Sequence, residues 1–145
     1  MTSIDFYFNT ADKLQVACRL ASKAMAQGKR LLIYAPQADT AQRIDHMLWT
    51  WQATGFVPHC GAQDPLAGDT PVLIASEPDA HAACEVLLNL AAETPPAFER
   101  FERLLELVTP DEEDRRAARA RYRFYRERGY RIADHDLGWE AGGAR

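Results

Sequence analysis

Arg115, Arg119, Tyr122 and Arg126 follow one another at intervals of four, three and four residues. On a helix turning about 100° per residue they fall within about 60° of arc, so three guanidinium groups flank one phenol ring. Arginine pairs bidentately with carboxylates, and the ring packs an apolar group. The stripe therefore suits a ligand with several carboxylates and a hydrophobic terminus. Two other readings stay open on these residues alone. The arginines also fit a solvated face paired with Glu112, Glu113 and Asp114, and Tyr122, Tyr125 and Tyr130 also offer stacking surfaces for single-stranded nucleic acid. The same wheel predicts that Ala117, Ala120 and Phe124 face the core, with Arg121 and Arg128 on the flank.

A second group is aromatic. Leu48-Trp49-Thr50-Trp51 is followed closely by Phe56-Val57-Pro58-His59. Trp51 shares a helix face with Ile44, Met47 and Leu48, whereas Trp49 is rotated from it by about 200° and is predicted to be at least partly exposed. An exposed tryptophan beside an aromatic loop has the composition of a protein-interface hot spot. Burial of Trp49 beneath the following loop is the alternative.

Other chemistries find no anchor. Neither G-x-G-x-x-G nor G-x-x-x-x-G-K-[ST] occurs, and Gly28-Lys29 lies between a helix and a strand, the reverse of a phosphate-binding loop. Gly28 reads as a helix C-cap. His59-Cys60 is the only adjacent pair drawn from histidine and cysteine, while His46, His81 and His135 are scattered, so no metal, cofactor or catalytic residue is assigned. No serine sits in a nucleophile elbow. Cys18, Cys60 and Cys84 are odd in number and lack paired spacing, which argues against a disulfide framework.

These groups must be positioned by a chain of 145 residues, 47% hydrophobic, enough for one domain with a real core. The net charge is −4, yet eight of the 17 basic residues lie between Arg115 and Arg131. A cationic surface on an otherwise acidic protein points to an anionic partner, with nucleic acid engaged only indirectly. No apolar run spans a membrane and no signal peptide opens the chain, which predicts a cytoplasmic protein.

The element pattern alternates. Ile4–Phe8 reads as a strand; Thr10 caps a helix that stops at Gly28; Leu31–Ala35 is an apolar strand covered on both faces. Asp39 or Thr40 caps a second helix ending near Gly55, and a loop spans Cys60 to Thr70. Strands are predicted at Pro71–Ala75 and Glu85–Leu90, separated by a polar connection with Pro78. Phe98, Phe101, Leu104, Leu105 and Val108 have helical spacing. Thr109 then caps a long helix with Pro110 at its first position and acids in its first turn, closing at Gly129. This order predicts an α/β fold, a three-layer α/β/α sandwich with a largely parallel central sheet. One domain is expected over residues 1–132, with a flexible tail over 133–145.

At these residues the sequence resembles the DNA polymerase III chi subunit family. The likeness is carried by Phe6-Tyr7, by Gly28-Lys29-Arg30 before a strand, and by Ile44-Asp45 through Leu48-Trp49. It continues through Phe56-Val57-Pro58-His59 and Pro71-Val72 to Ala118 through Arg126 with Gly129-Tyr130. The resemblance implies a Rossmann-like, helicase-like fold without a nucleotide site and a non-catalytic accessory subunit of a DNA-directed DNA polymerase complex. It implies two partners: the C-terminal tail of single-stranded-DNA-binding protein, acidic and ending in Pro-Phe, and the psi subunit, through which chi joins the clamp loader. Carried over by position, the tail pocket comprises Arg115, Arg119, Tyr122 and Arg126 with Val108 and Gly129. The psi-facing surface comprises Trp49, Phe56, Val57 and Pro58.

Overall fold

The computed structural model describes residues 2–50, 58–61, 64, 70–77 and 84–137. Seven strands form one sheet: β1 (Ser3–Phe8), β2 (Leu31–Tyr34), β3 (His59–Gly61), β4 (Val72–Ala75), β5 (Val86–Asn89), β6 (Arg103–Leu107) and β7 (Arg131–Asp136). Their order across the sheet is β3-β4-β2-β5-β6-β1-β7, and every pairing is parallel. Among the described residues three α-helices cover it: α1 (Lys13–Ala26), α2 (Ala38–Thr50) and α3 (Glu112–Glu127).

Parallel strands covered on both faces must be apolar on both, and β2, Leu31-Leu32-Ile33-Tyr34, shows the consequence. Leu31 and Ile33 join the core under α1 and α2, with Ala17, Cys18, Ile44 and Leu48. Leu32 points the other way, into the core shared with α3, with Ile4, Phe6, Leu104, Ala118 and Tyr125. Two cores on opposite faces of one sheet make the three-layer α/β/α arrangement.

Four sequence expectations are corrected. Phe98, Phe101, Leu104 and Leu105 do not share a helix: Phe98–Arg100 is a single 3-10 turn, and Leu104 and Leu105 face opposite cores from strand β6. The expected loop after Cys60 begins with β3, a three-residue edge strand whose His59 is buried. The tail expected from residue 133 is instead strand through Asp136, with all six residues of β7 in register with β1. The caps also shift: Asp12, not Thr10, accepts from the first turn of α1, and Asp111, not Thr109, caps α3. Thr10 is buried, its hydroxyl donating to the Val108 carbonyl at 3.1 Å. The second helix's predicted end near Gly55 and the connection at Pro78 lie outside the described residues.

Candidate functional site: an arginine-lined groove on α3

The sequence of α3 fixes both its ends. Asp111 accepts from the Asp114 backbone N–H at 3.2 Å, and Glu112, Glu113 and Asp114 oppose the positive end of the helix dipole. Asp114 in turn accepts from the Thr109 backbone N–H at 2.8 Å and from Lys13 Nζ at 3.0 Å, so the start of α3 is clamped to the start of α1. Burial alone would raise the Asp114 carboxyl. The Thr109 N–H, the Lys13 ammonium and the Thr109 hydroxyl outweigh it and hold the pKa below the ordinary value. At the other end, Gly129 takes φ +82° and donates to the Arg126 carbonyl at 3.0 Å, closing the helix in a conformation open to glycine.

Between these ends α3 presents two adjacent faces. The inward one is Ala118, Arg121 and Tyr125, all buried, which corrects the expected Ala117–Ala120–Phe124 face: Ala120 is exposed, and half-buried Phe124 lies under the Arg128 guanidinium at 4.2 Å. Arg121 is therefore a core residue. It is 3% exposed and its Nε donates to Glu106 at 3.1 Å, while Glu106, on β6, is wholly buried. Glu106 also accepts from Tyr125 Oη at 2.6 Å and from Asn89 Nδ2 at 3.0 Å, and Arg121 Nη1 donates to the Ala92 carbonyl at 2.6 Å. Burial pushes the Glu106 pKa up, opposed by the guanidinium charge and by hydrogen bonds from Tyr125, Asn89 and Arg121.

Each inward residue precedes a groove residue: Ala118 precedes Arg119, Arg121 precedes Tyr122, Tyr125 precedes Arg126. The second face is thus the first rotated by about 100°. It opens on a groove of about 350 Å³ lined by Phe8, Val108, Arg115, Ala118, Arg119, Tyr122, Arg123 and Arg126. Five of the six residues singled out from the sequence line it. Gly129 does not; its place is the helix terminus. Phe8, Ala118 and Arg123 are additional. Phe8 could be foreseen only by knowing that β1 ends beside α3, since nothing in the local sequence links them.

The groove's polar groups are partly engaged. Tyr122 donates from Oη to Asp134 on β7 at 3.2 Å, and its ring lies 5.0 Å from that of Phe6. Burial and then the Asp134 charge raise its pKa, with Arg126 acting against them, so the phenol remains a donor. Arg119 reaches Glu112 at 3.3 Å. Among the described residues Arg115 and Arg126 make no ion pair, so two of the stripe's three arginines lack the internal acids that a purely solvated face would provide. Three cations around a phenol, on a floor of Phe8, Val108 and Ala118, can hold carboxylates above an apolar group.

The second predicted group is only partly described. Trp49 is 55% exposed, the one exposed large hydrophobic among the described residues. Its ring lies 4.8 Å from that of buried His59, whose Nε2 is 3.2 Å from Asp45 Oδ1. Pro58 is half-buried beside them, while Trp51, Phe56 and Val57 lie outside the described residues. The cysteines are all free, and burial, then Asp12, pushes the Cys18 thiol up to about 12, so it is inert.

The profile of the family described as "DNA polymerase III chi subunit, HolC" matches residues 1–133. A relative named DNA polymerase III subunit chi from Pseudomonas aeruginosa is 40% identical over 143 residues, covering 94% of this chain and 98% of its own. The protein of that name from Escherichia coli is 29% identical over 119 residues, covering 81% of each chain. Among solved structures, the C-terminal domain of S. cerevisiae Dbp5 superposes with a TM-score of 0.59 at 10% identity, covering 93% of this chain and 90% of that one. That likeness concerns the fold alone.

Proposed function

Because the chain belongs to the DNA polymerase III chi subunit family, acting in DNA replication, we propose that its α3 groove holds the acidic C-terminal tail of single-stranded-DNA-binding protein. In this reading the protein is a cytoplasmic, non-catalytic adaptor. Arg115, Arg119 and Arg126 pair with the carboxylates of the tail, and Tyr122, Phe8 and Val108 receive its apolar terminal residue, with Gly129 ending the helix at the groove's margin. The surface at Trp49, continued by Phe56, Val57 and Pro58, binds psi and through psi reaches the clamp loader.

The supporting observation is the groove itself: Arg115, Arg119 and Arg126 converge with Tyr122 over Phe8, Val108 and Ala118. A net-acidic protein that gathers its arginines around an apolar floor suits a ligand that is anionic and partly hydrophobic, whereas a nucleic-acid backbone alone has no use for the floor.

The test is titration of the purified protein with a fluorescent acidic peptide ending in Pro-Phe. Saturable binding that weakens with salt is expected, and Arg119→Ala should weaken it roughly ten-fold or more, as losing a charged hydrogen bond does. Undiminished binding by the Arg119→Ala/Tyr122→Ala double variant would rule the groove out. Two further measurements address the other classes: a rise in melting temperature with ATP would favour a nucleotide-binding enzyme, and retention of an oligonucleotide without any partner would favour direct DNA binding. For the second surface, psi association unchanged by Phe56→Ala would remove that residue from the interface.

A further inference from the structure

Buried ion pairs are poor stabilisers, since desolvation offsets most of their attraction, but their directional bonds can fix one packing among several. Of the three residues on the inward face of α3, Ala118 is small and Arg121 is charged, so the Tyr125 ring, packed against Phe6 and Phe98, is its one large apolar contact. Aromatic and aliphatic contact would tolerate a roll about the helix axis. Hydrogen bonds at 2.6–3.1 Å from two residues one turn apart would not.

We infer that Glu106 is a positioning residue: by accepting from Arg121 and Tyr125 at once, it sets the rotation of α3 and thereby aims Arg115, Arg119, Tyr122 and Arg126 into the groove. Glu106 stands in register with Phe6 of β1 and Asn89 of β5, so its own position is fixed from both sides. Asn89 holds the carboxylate from β5, and the Ala92 carbonyl takes the far nitrogen of Arg121, so the anchor spans the sheet, the segment after β5, and α3. None of these groups lines the groove. Because three of the four stripe residues, Arg119, Tyr122 and Arg126, each directly follow an inward one on the same helix, a roll of the helix displaces the stripe as a unit. A misplacement of a fraction of an ångström is enough to spoil multi-point recognition.

The peptide arm of the test rests on the proposed function; the structural arm does not. Glu106→Leu/Arg121→Met/Tyr125→Phe removes both charges and the phenol of the network and leaves no charge orphaned, while Asn89 keeps its bond to the Glu93 carbonyl at 3.1 Å, so the melting temperature should hold or rise. Nuclear Overhauser contacts between the Tyr122 and Phe6 rings, expected from their 5.0 Å separation, should weaken or shift, and affinity for the acidic peptide ending in Pro-Phe should fall about ten-fold or more. Arg121→Lys keeps the charge but cannot serve both Glu106 and Ala92; it should show the same changes in smaller measure, and it decides the matter if the triple variant does not fold. A folded variant with wild-type ring contacts and wild-type affinity overturns the inference. Altered ring contacts in a protein whose wild type binds no such peptide overturn the proposed function and leave the positioning role standing.

Discussion

Arg119 is held by an internal competitor, because Glu112 lies 3.3 Å away on the preceding turns of the same helix. An anionic ligand must displace that carboxylate, and both side chains are exposed, so the contact is worth only about 0.2–1 kcal/mol. Glu112→Gln should therefore strengthen acidic-peptide binding by about two- to five-fold at low salt, with the gain fading as salt is raised. Anisotropy titrations at two ionic strengths check this, and a weakened complex would contradict it. At this scale the stripe could be read from spacing, since Arg115, Arg119 and Tyr122 obey helical geometry whatever lies beneath them. Arg121 could not. A charged residue is placed inside only when its partner is known, and that partner, Glu106, sits fifteen residues earlier in a segment whose apolar spacing fits a helix as well as a strand.

That ambiguity belongs to the element scale. Leu104, Leu105, Leu107 and Val108 form a nearly continuous apolar run, the pattern of a strand buried on both faces, which periodicity alone cannot separate from a buried helix. β3 and β7 were missed for the opposite reason: one is three residues long, the other a mostly polar edge, Arg131-Ile132-Ala133-Asp134-His135-Asp136, whose charges protect it from unwanted pairing. The strand reading of β6 has a measurable consequence, for Leu104 is wholly buried and Leu104→Ala should cost about 2–5 kcal/mol in urea unfolding. The start of α3 supplies a second. The Asp114 carboxyl is held below its unfolded value, so its contribution to stability is present above the ordinary aspartate range and is lost as pH falls through the lowered folded value. Asp114→Asn should lower the melting temperature at neutral pH and leave a smaller further loss on acidification below about pH 4 than in the wild type. Parallel acid profiles for the two proteins would disprove that role.

At the scale of the whole molecule, the sheet joins two halves. β3, β4, β2 and β5 are one, and β6, β1 and β7 the other, meeting where β5 pairs with β6. The alternation of strands and helices was enough to foresee a parallel sheet with helices on both faces; the order of strands was not, because nothing local says that β1 pairs between β6 and β7. β7 is tied down further by His135, 3.0 Å from Asp5 and stacked on Tyr7, and by Asp134 beneath Tyr122. Ending the chain at Ile132 should therefore lower the melting temperature and also weaken peptide binding, measured by calorimetry and anisotropy on the same preparation; a fully stable product would show that β7 contributes little.

The pairing of β1 also sets a timetable. Ser3 meets Arg103 on one side and Arg131 on the other, so this early strand waits unpaired while about a hundred further residues are synthesised. The groove draws Phe8 from that strand and its arginines from α3, so a chain interrupted before α3 lacks the cationic wall and has β6 but not β7 to pair with β1. On the proposed function, a nascent chain can therefore take up the acidic tail only once α3 has been made and docked on the sheet.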